Sequence, residues 1–206
     1  IGMECLDRDL WDMFPAIPQL KKLGIKQARI QSGWAKTEQQ KGVYDFSWLD
    51  SIVDSLLAIG IQPWLSLSYG NKLYSSDPNA KSNGIGQNPC ESEEYLNAWK
   101  KYVRAAVSHF KGRIQTFEIW NEPDLCVFFP ASSGDWMVEY NLLVRETSPI
   151  VKEIIPSAKV GAVMAEGTAT AANIIARLFD GGLGKWIDFF AFHAYSLQPE
   201  RFNEAS

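Results

Sequence analysis

Long apolar runs are missing from this chain. Nothing in it approaches the roughly 20 consecutive apolar residues that a membrane-spanning helix requires. No signal-peptide pattern opens it either. The first residues are Ile1-Gly2 and not methionine, which fits a removed leader and favours a secreted or periplasmic compartment. Blocks of like charge are also missing, and the formal net charge is −4 over 206 residues, which argues against a nucleic-acid-binding surface. Histidine and cysteine are scarce, at two and three residues. They form no cluster with zinc-ligand spacing, so no metal is expected. No G-x-G-x-x-G turn follows the first strand-like segment, which weakens a nucleotide-binding reading, and no cofactor is expected. The cysteines (Cys5, Cys90 and Cys126) are odd in number and all fall in loops. A Cys90–Cys126 disulfide and three separate thiols both remain open.

What is present is a core and many rings. Hydrophobic residues make up 46% of the chain and aromatics 13%, with eight tryptophans. That is enough for one substantial core. A mildly acidic, aromatic-rich surface suits carbohydrate, because flat rings stack on the apolar faces of pyranoses. The same rings also serve as core.

Short apolar segments alternate with longer amphipathic ones. Strand-like segments are residues 2–4, 27–30, 62–67, 116–120, 159–163 and 187–192. Helix-like segments are residues 15–23, 46–59, 93–110, 135–155 and 170–179. Leu49, Ile52, Val53, Leu56 and Leu57 recur at the three-and-four spacing of a helix face, and Gly24 and Gly60 stand where helices stop. This alternation predicts βαβ units on a parallel sheet with right-handed crossovers. The strand-to-helix loops are long (31–45, 68–92 and 123–134), whereas the helix-to-strand links are short. Long loops at strand C-termini are where a (β/α)8 barrel builds its site, and a doubly wound sheet shares that rule. About six strands are counted where a closed barrel has eight. The chain therefore reads as residues 1–206 of a partial TIM (β/α)8 catalytic domain, lacking the C-terminal part of the barrel.

The most informative segment is Phe117-Glu118-Ile119-Trp120-Asn121-Glu122-Pro123-Asp124. A strand here ends in an Asn-Glu pair closed off by proline, a plausible way to present a general acid. Strand parity places Glu118, Trp120 and Glu122 on one face, with Glu118 deeper. A deep carboxylate needs a partner, and Arg29 on the second strand is the candidate. His193 and Tyr195, two apart near the end of the sixth strand, share a face. His109 closes a helix and suits its C-terminal dipole. Glu4 and Asp7 could line a pocket, and Asp7 or Asp9 could equally cap the first helix. Trp34, Tyr69, Phe128, Phe129 and Trp136 fall on or near the long loops, where some could stack on sugar. Trp120, beside the motif, is the best placed of the rings.

On these residues the chain resembles the clan A glycoside hydrolases, and most of all their family 39. The matches are Trp120-Asn121-Glu122-Pro123 at the end of the fourth strand, Arg29 on the second, and Phe192-His193-Ala194-Tyr195 at the sixth. The segment Gly42-Val43-Tyr44-Asp45-Phe46, followed by a helix and Gly60-Ile61-Gln62-Pro63, also fits. The resemblance implies a retaining O-glycosidase with two carboxyl groups acting on a glycan or glycoside. It makes Glu122 the acid/base and gives Asn121 the hydroxyl beside the anomeric carbon. It also implies that Arg29 supports the nucleophile and that His193 and Tyr195 contact the sugar or the nucleophile; with the rings Trp120, Tyr69 and Trp34 these are the candidate carbohydrate-binding residues. The general acid must keep its proton until substrate binds, which partial burial and a nearby anionic nucleophile both favour. Two departures are visible. Leu67-Ser68-Tyr69-Gly70-Asn71 lacks the histidine many clan members carry near the third strand. The clan's nucleophile, a glutamate ending the seventh strand, has no counterpart at Glu166, Glu200 or Glu204. A barrel that binds carbohydrate without cleaving it is the alternative.

Overall fold

Six parallel strands hydrogen-bond in chain order in the computed structural model, forming one sheet: β1 (Gly2–Met3), β2 (Gln27–Gln31), β3 (Gln62–Leu67), β4 (Thr116–Ile119), β5 (Lys159–Met164) and β6 (Phe189–Phe192). The structure describes residues 1–165 and 171–193. Six helices alternate with the strands: α1 (Ile17–Lys22), α2 (Trp34–Thr37), α3 (Ser47–Ala58), α4 (Glu93–His109), α5 (Trp136–Ile154) and α6 (Ala171–Asp180). All six strands and five of these helices fall within a residue or two of where the periodicity puts them. The short α2 lies inside the segment read as a loop. It starts from Gly33 at φ 59° and runs for four residues, too few to leave a periodic signature.

The sheet is an incomplete (β/α)8 barrel, and its pairing register sorts the side chains into two faces. Met3, Ile30, Leu65, Phe117 and Val160 lie in one row across neighbouring strands and are buried toward the helices. The next row is Gln31, Ser66, Glu118, Gly161 and Phe189, which faces the barrel interior. Curvature shows in a contact between strands three apart, where the rings of Trp64 and Phe189 meet edge to face at 5.2 Å. Gly161 makes that contact possible, since a Cβ there would lie 2.2 Å from the Phe189 ring.

Helix ends are satisfied locally. Ser92 caps α4 by accepting from Tyr95 N at 3.2 Å, and Asp135 caps α5 by accepting from Met137 N at 3.0 Å. Neither Asp7 nor Asp9 caps α1, although Asp9 closes the 3-10 turn Leu6–Arg8. Asp7 is buried beside Arg8 and Asp9 pairs with Lys36, while Asp12 accepts from Phe14 N at 3.0 Å. His109, the last residue of α4, stacks on Phe46 and meets Asp50 at 2.8 Å. All three cysteines are free.

The long loops are tied to each other. Glu139, on the first turn of α5, accepts from Asn88 in the β3–α4 loop, from Ser132 N and Oγ, and from Ser133 N in the β4–α5 loop. Burial opposes the charge on Glu139, but the bonds from Ser133 and Ser132 outweigh it and hold the carboxyl below its ordinary range. One carboxylate thus fixes both loops that frame the end of β4. Among the described residues, no helix is long and apolar enough to cross a membrane, and no group of three or more His, Cys, Asp or Glu could hold a metal.

Candidate active site

Strand β4 stops at Ile119, and the chain then leaves extended geometry. Trp120 takes φ 70° and Glu122 φ 50°, a left-handed conformation uncommon for non-glycine residues and found where surrounding structure enforces it. This breaks the expected parity. Trp120 does not follow Glu118 into the barrel. Its ring has no exposed surface and packs against Trp99 of α4 at 5.6 Å, Phe129 at 5.3 Å and the edge of Tyr69 at 5.9 Å. Its indole N–H donates to Phe128 O at 3.3 Å. Trp120 is therefore a core residue and not a sugar platform. The turn it makes brings Asn121 round to the face that Glu118 occupies.

Arg29 gathers that face. Its Nε donates to Glu118 Oε1 at 2.8 Å, its Nη2 to Asn121 Oδ1 at 2.9 Å and to Ser66 Oγ at 3.0 Å, and its Nη1 to Glu4. Nη2 also reaches Glu118 Oε1. The expected Arg29–Glu118 pair is present and fully buried on the carboxylate side. Burial pushes the Glu118 carboxyl upward, against the opposite pull of Arg29. Arg29 is itself desolvated, but Glu118 and Glu4 hold it cationic. Glu118 Oε2 has no partner among the described residues.

Asn121 is clamped from both ends. Arg29 fixes its oxygen, and its Nδ2 donates to Tyr69 Oη at 2.8 Å. The same hydroxyl accepts from Gln31 Nε2 at 3.0 Å. This network sets the amide's orientation. Tyr69 follows the cis Ser68–Tyr69 peptide and is 1% exposed. Its ring stacks on Phe128 at 5.5 Å, and the Arg8 guanidinium lies 5.5 Å from its centroid. Burial pushes the phenol well above its ordinary range, so it works as a neutral hydroxyl. Tyr69 thus positions Asn121 and offers no open face for stacking.

Glu122 is 8% exposed and meets His193 Nδ1 at 2.6 Å. His193 follows β6 directly, and its own N–H bonds Met164 O at 2.9 Å. The two side chains share a hydrogen bond whose donor depends on the imidazole tautomer. A neutral imidazole can accept from a protonated Glu122, or His193 can donate to a carboxylate.

Trp34 lies elsewhere. It is fully buried, stacked with Tyr74 at 5.6 Å and Tyr102 at 5.3 Å, and its N–H bonds Glu38. The expected sugar platform at Trp34 is instead the centre of the aromatic core beneath the loops. Tyr195 lies outside the described residues. Sequence reasoning missed Ser66 and Gln31, and it left Glu4 without a partner. Ser66 had left a trace, as a small polar residue inside the apolar run Trp64-Leu65-Ser66-Leu67.

Fold and site together define a barrel of the glycoside hydrolase type, with an Asn-Glu pair at the end of its fourth strand. The sequence profile of the Glycosyl hydrolases family 39 matches residues 15–204, and the chain belongs to that family. It is 31% identical over 172 residues to a β-xylosidase of Geobacillus stearothermophilus, covering 80% of this chain and 30% of that protein. It is also 31% identical over 197 residues to a β-xylosidase of Caldicellulosiruptor saccharolyticus, covering 86% of this chain and 38% of that one. A solved family 39 β-xylosidase from Caulobacter crescentus superposes with a TM-score of 0.67 at 25% identity, over all of this chain and 49% of that one. The chain thus spans about a third of the length of these curated relatives.

Proposed function

We propose that residues 1–206 are the larger part of the catalytic barrel of a retaining glycoside hydrolase that cleaves the O-glycosidic bond of a glycan or glycoside. The observation that carries this reading is a fixed amide and, on the adjacent residue, a carboxyl held by a histidine. Arg29 and Tyr69 hold Asn121, and His193 meets Glu122 at 2.6 Å. Glu122 protonates the departing glycosidic oxygen. The carboxylate left behind then takes a proton from the water that releases the sugar. Asn121 bonds the hydroxyl next to the anomeric carbon, a contact that strengthens as positive charge develops there. Glu118 is structural: it balances Arg29 and so keeps Asn121 in place.

The nucleophile in this reading is a glutamate ending a seventh strand, supplied by chain beyond residue 206, and two further βα units close the barrel. For a retaining enzyme its carboxyl lies about 5–5.5 Å from that of Glu122. The names of the relatives make β-xylosides the first substrates to try. The test follows product configuration by proton NMR during hydrolysis of an aryl β-xyloside by the full-length protein. The first sugar formed should carry the β configuration. Initial release of the α anomer would remove the retaining mechanism. Binding without hydrolysis would leave a carbohydrate-binding barrel.

A further inference from the structure

A cavity of about 480 Å³ opens beside the barrel mouth, between the β1–α1 segment and α3. Trp11 and Phe14 line it from one side and Trp48 from the other, over the buried Met13. Asp9 and Lys36 stand at its edge. Trp11 is 42% exposed, yet it is not loose. Its indole N–H donates to Glu4 O at 2.6 Å, which pins the ring. The Trp48 N–H is likewise used, on Thr37 Oγ1 at 3.2 Å. Gly33 leaves room for that ring, since a Cβ there would lie 2.9 Å from it. Both indole N–H groups are satisfied inside the protein, and Lys36 Nζ covers the Trp48 ring at 4.4 Å, so Trp11 and Phe14 are the rings with surface left to offer a ligand.

That leaves a specific chemistry. The exposed rings of Trp11 and Phe14 lie beside two carboxylates, Asp9 and Asp12, and one ammonium, Lys36, which already pairs with Asp9, so an anionic ligand finds no free cation here. A pyranose fits, with its C–H face on a ring and its hydroxyls toward Asp9 and Lys36. A rigid, pre-held aromatic also loses little conformational entropy on binding. Position supports the same ligand. Trp11 is bonded to the main chain of Glu4, whose carboxylate accepts from Arg29, the residue that holds Asn121. Trp11 thus ties this cavity, through Glu4, to the residues that hold Asn121.

We propose that this cavity is a remote glycosyl subsite, so that the enzyme engages an oligosaccharide at a second point. The proposal rests on the glycosidase reading. Its test compares Trp11→Ala with wild type in the full-length protein, on an aryl β-xyloside and on β-1,4-xylohexaose. The variant should lose about tenfold in kcat/KM on the hexaose and stay within about twofold on the aryl glycoside. Equal change on the two substrates, whether none or a shared loss, overturns the proposal. If wild type turns over neither substrate, the reading as a β-xyloside hydrolase fails, and calorimetric titration with xylohexaose still decides. Binding weakened about tenfold by Trp11→Ala supports a glycan site, and binding that is absent or insensitive to Trp11 overturns it.

Discussion

Phe117 and Glu118 are neighbours on β4, and both are fully buried. Phe117 turns outward into a layer with Ile30, Leu65 and Val160, where contact is unspecific and many substitutions of similar volume would serve. Glu118 turns inward to a guanidinium that also holds Glu4, Ser66 and Asn121, where each partner has one geometry. The outward face holds the barrel together, and the inward face aims one amide. Burial alone does not separate the two roles; what each buried group would leave behind on removal does.

The largest effects break the comparison from either side. Phe117→Ala should cost about 3–5 kcal/mol of stability through the cavity it leaves. Arg29→Met should cost a comparable amount, about 3–5 kcal/mol, because it strands the Glu118 charge in the interior. Denaturant melts measure both. Activity per folded molecule separates them: it should survive in Phe117→Ala and collapse in Arg29→Met. Equal activity in the two folded variants would erase the distinction between the faces.

Next in size is the tie between the loops. Glu139 titrates below its reference value of 4.5, so the unfolded chain takes up its proton first as pH falls. The stabilisation is complete above about pH 4.5 and is lost as pH drops through the lower folded value. Glu139→Gln should lower stability at pH 7 by about 1.5–3 kcal/mol, the worth of bonds to a charged group. It should also flatten the acid limb of the stability–pH curve. An unchanged acid limb would show that the loops are held some other way.

The smallest effect sharpens the inward face. Tyr69→Phe removes a hydroxyl shared by Asn121 and Gln31. It should cost about tenfold in kcat/KM, with about 1 kcal/mol lost in stability. A stability loss without a kinetic one would make Tyr69 mere packing.

The sequence held more of the fold than of the site. Strand and helix periods, the glycine stops and the place of Asn121-Glu122 after the fourth strand are local signals, and the structure keeps them. The Arg29–Glu118 pair was legible because a deep carboxylate demands a cation and β2 carried one. What failed was parity past the end of β4. Trp120 at φ 70° reverses the alternation, and nothing in the residue letters announces a left-handed tryptophan. The same limit applies to Trp34, whose loop position hid a four-residue helix that carries the ring into the core. The β1–α1 segment was read for helix caps, whereas its Trp11 is held by Glu4 O, a pairing that only the folded backbone creates.

The central claim is the division of labour between two glutamates four residues apart, with Glu122 reacting and Glu118 supporting. Chemical rescue of Glu122→Ala in the full-length protein tests it most directly, using two aryl glycosides with good and poor leaving groups. Losing the acid should slow the poor leaving group by about 10²–10⁴ and the good one far less. Added azide should restore turnover of the good substrate as a β-glycosyl azide. Wild-type-like kinetics in Glu122→Ala, or the same rescue in Glu118→Ala instead, would contradict the assignment.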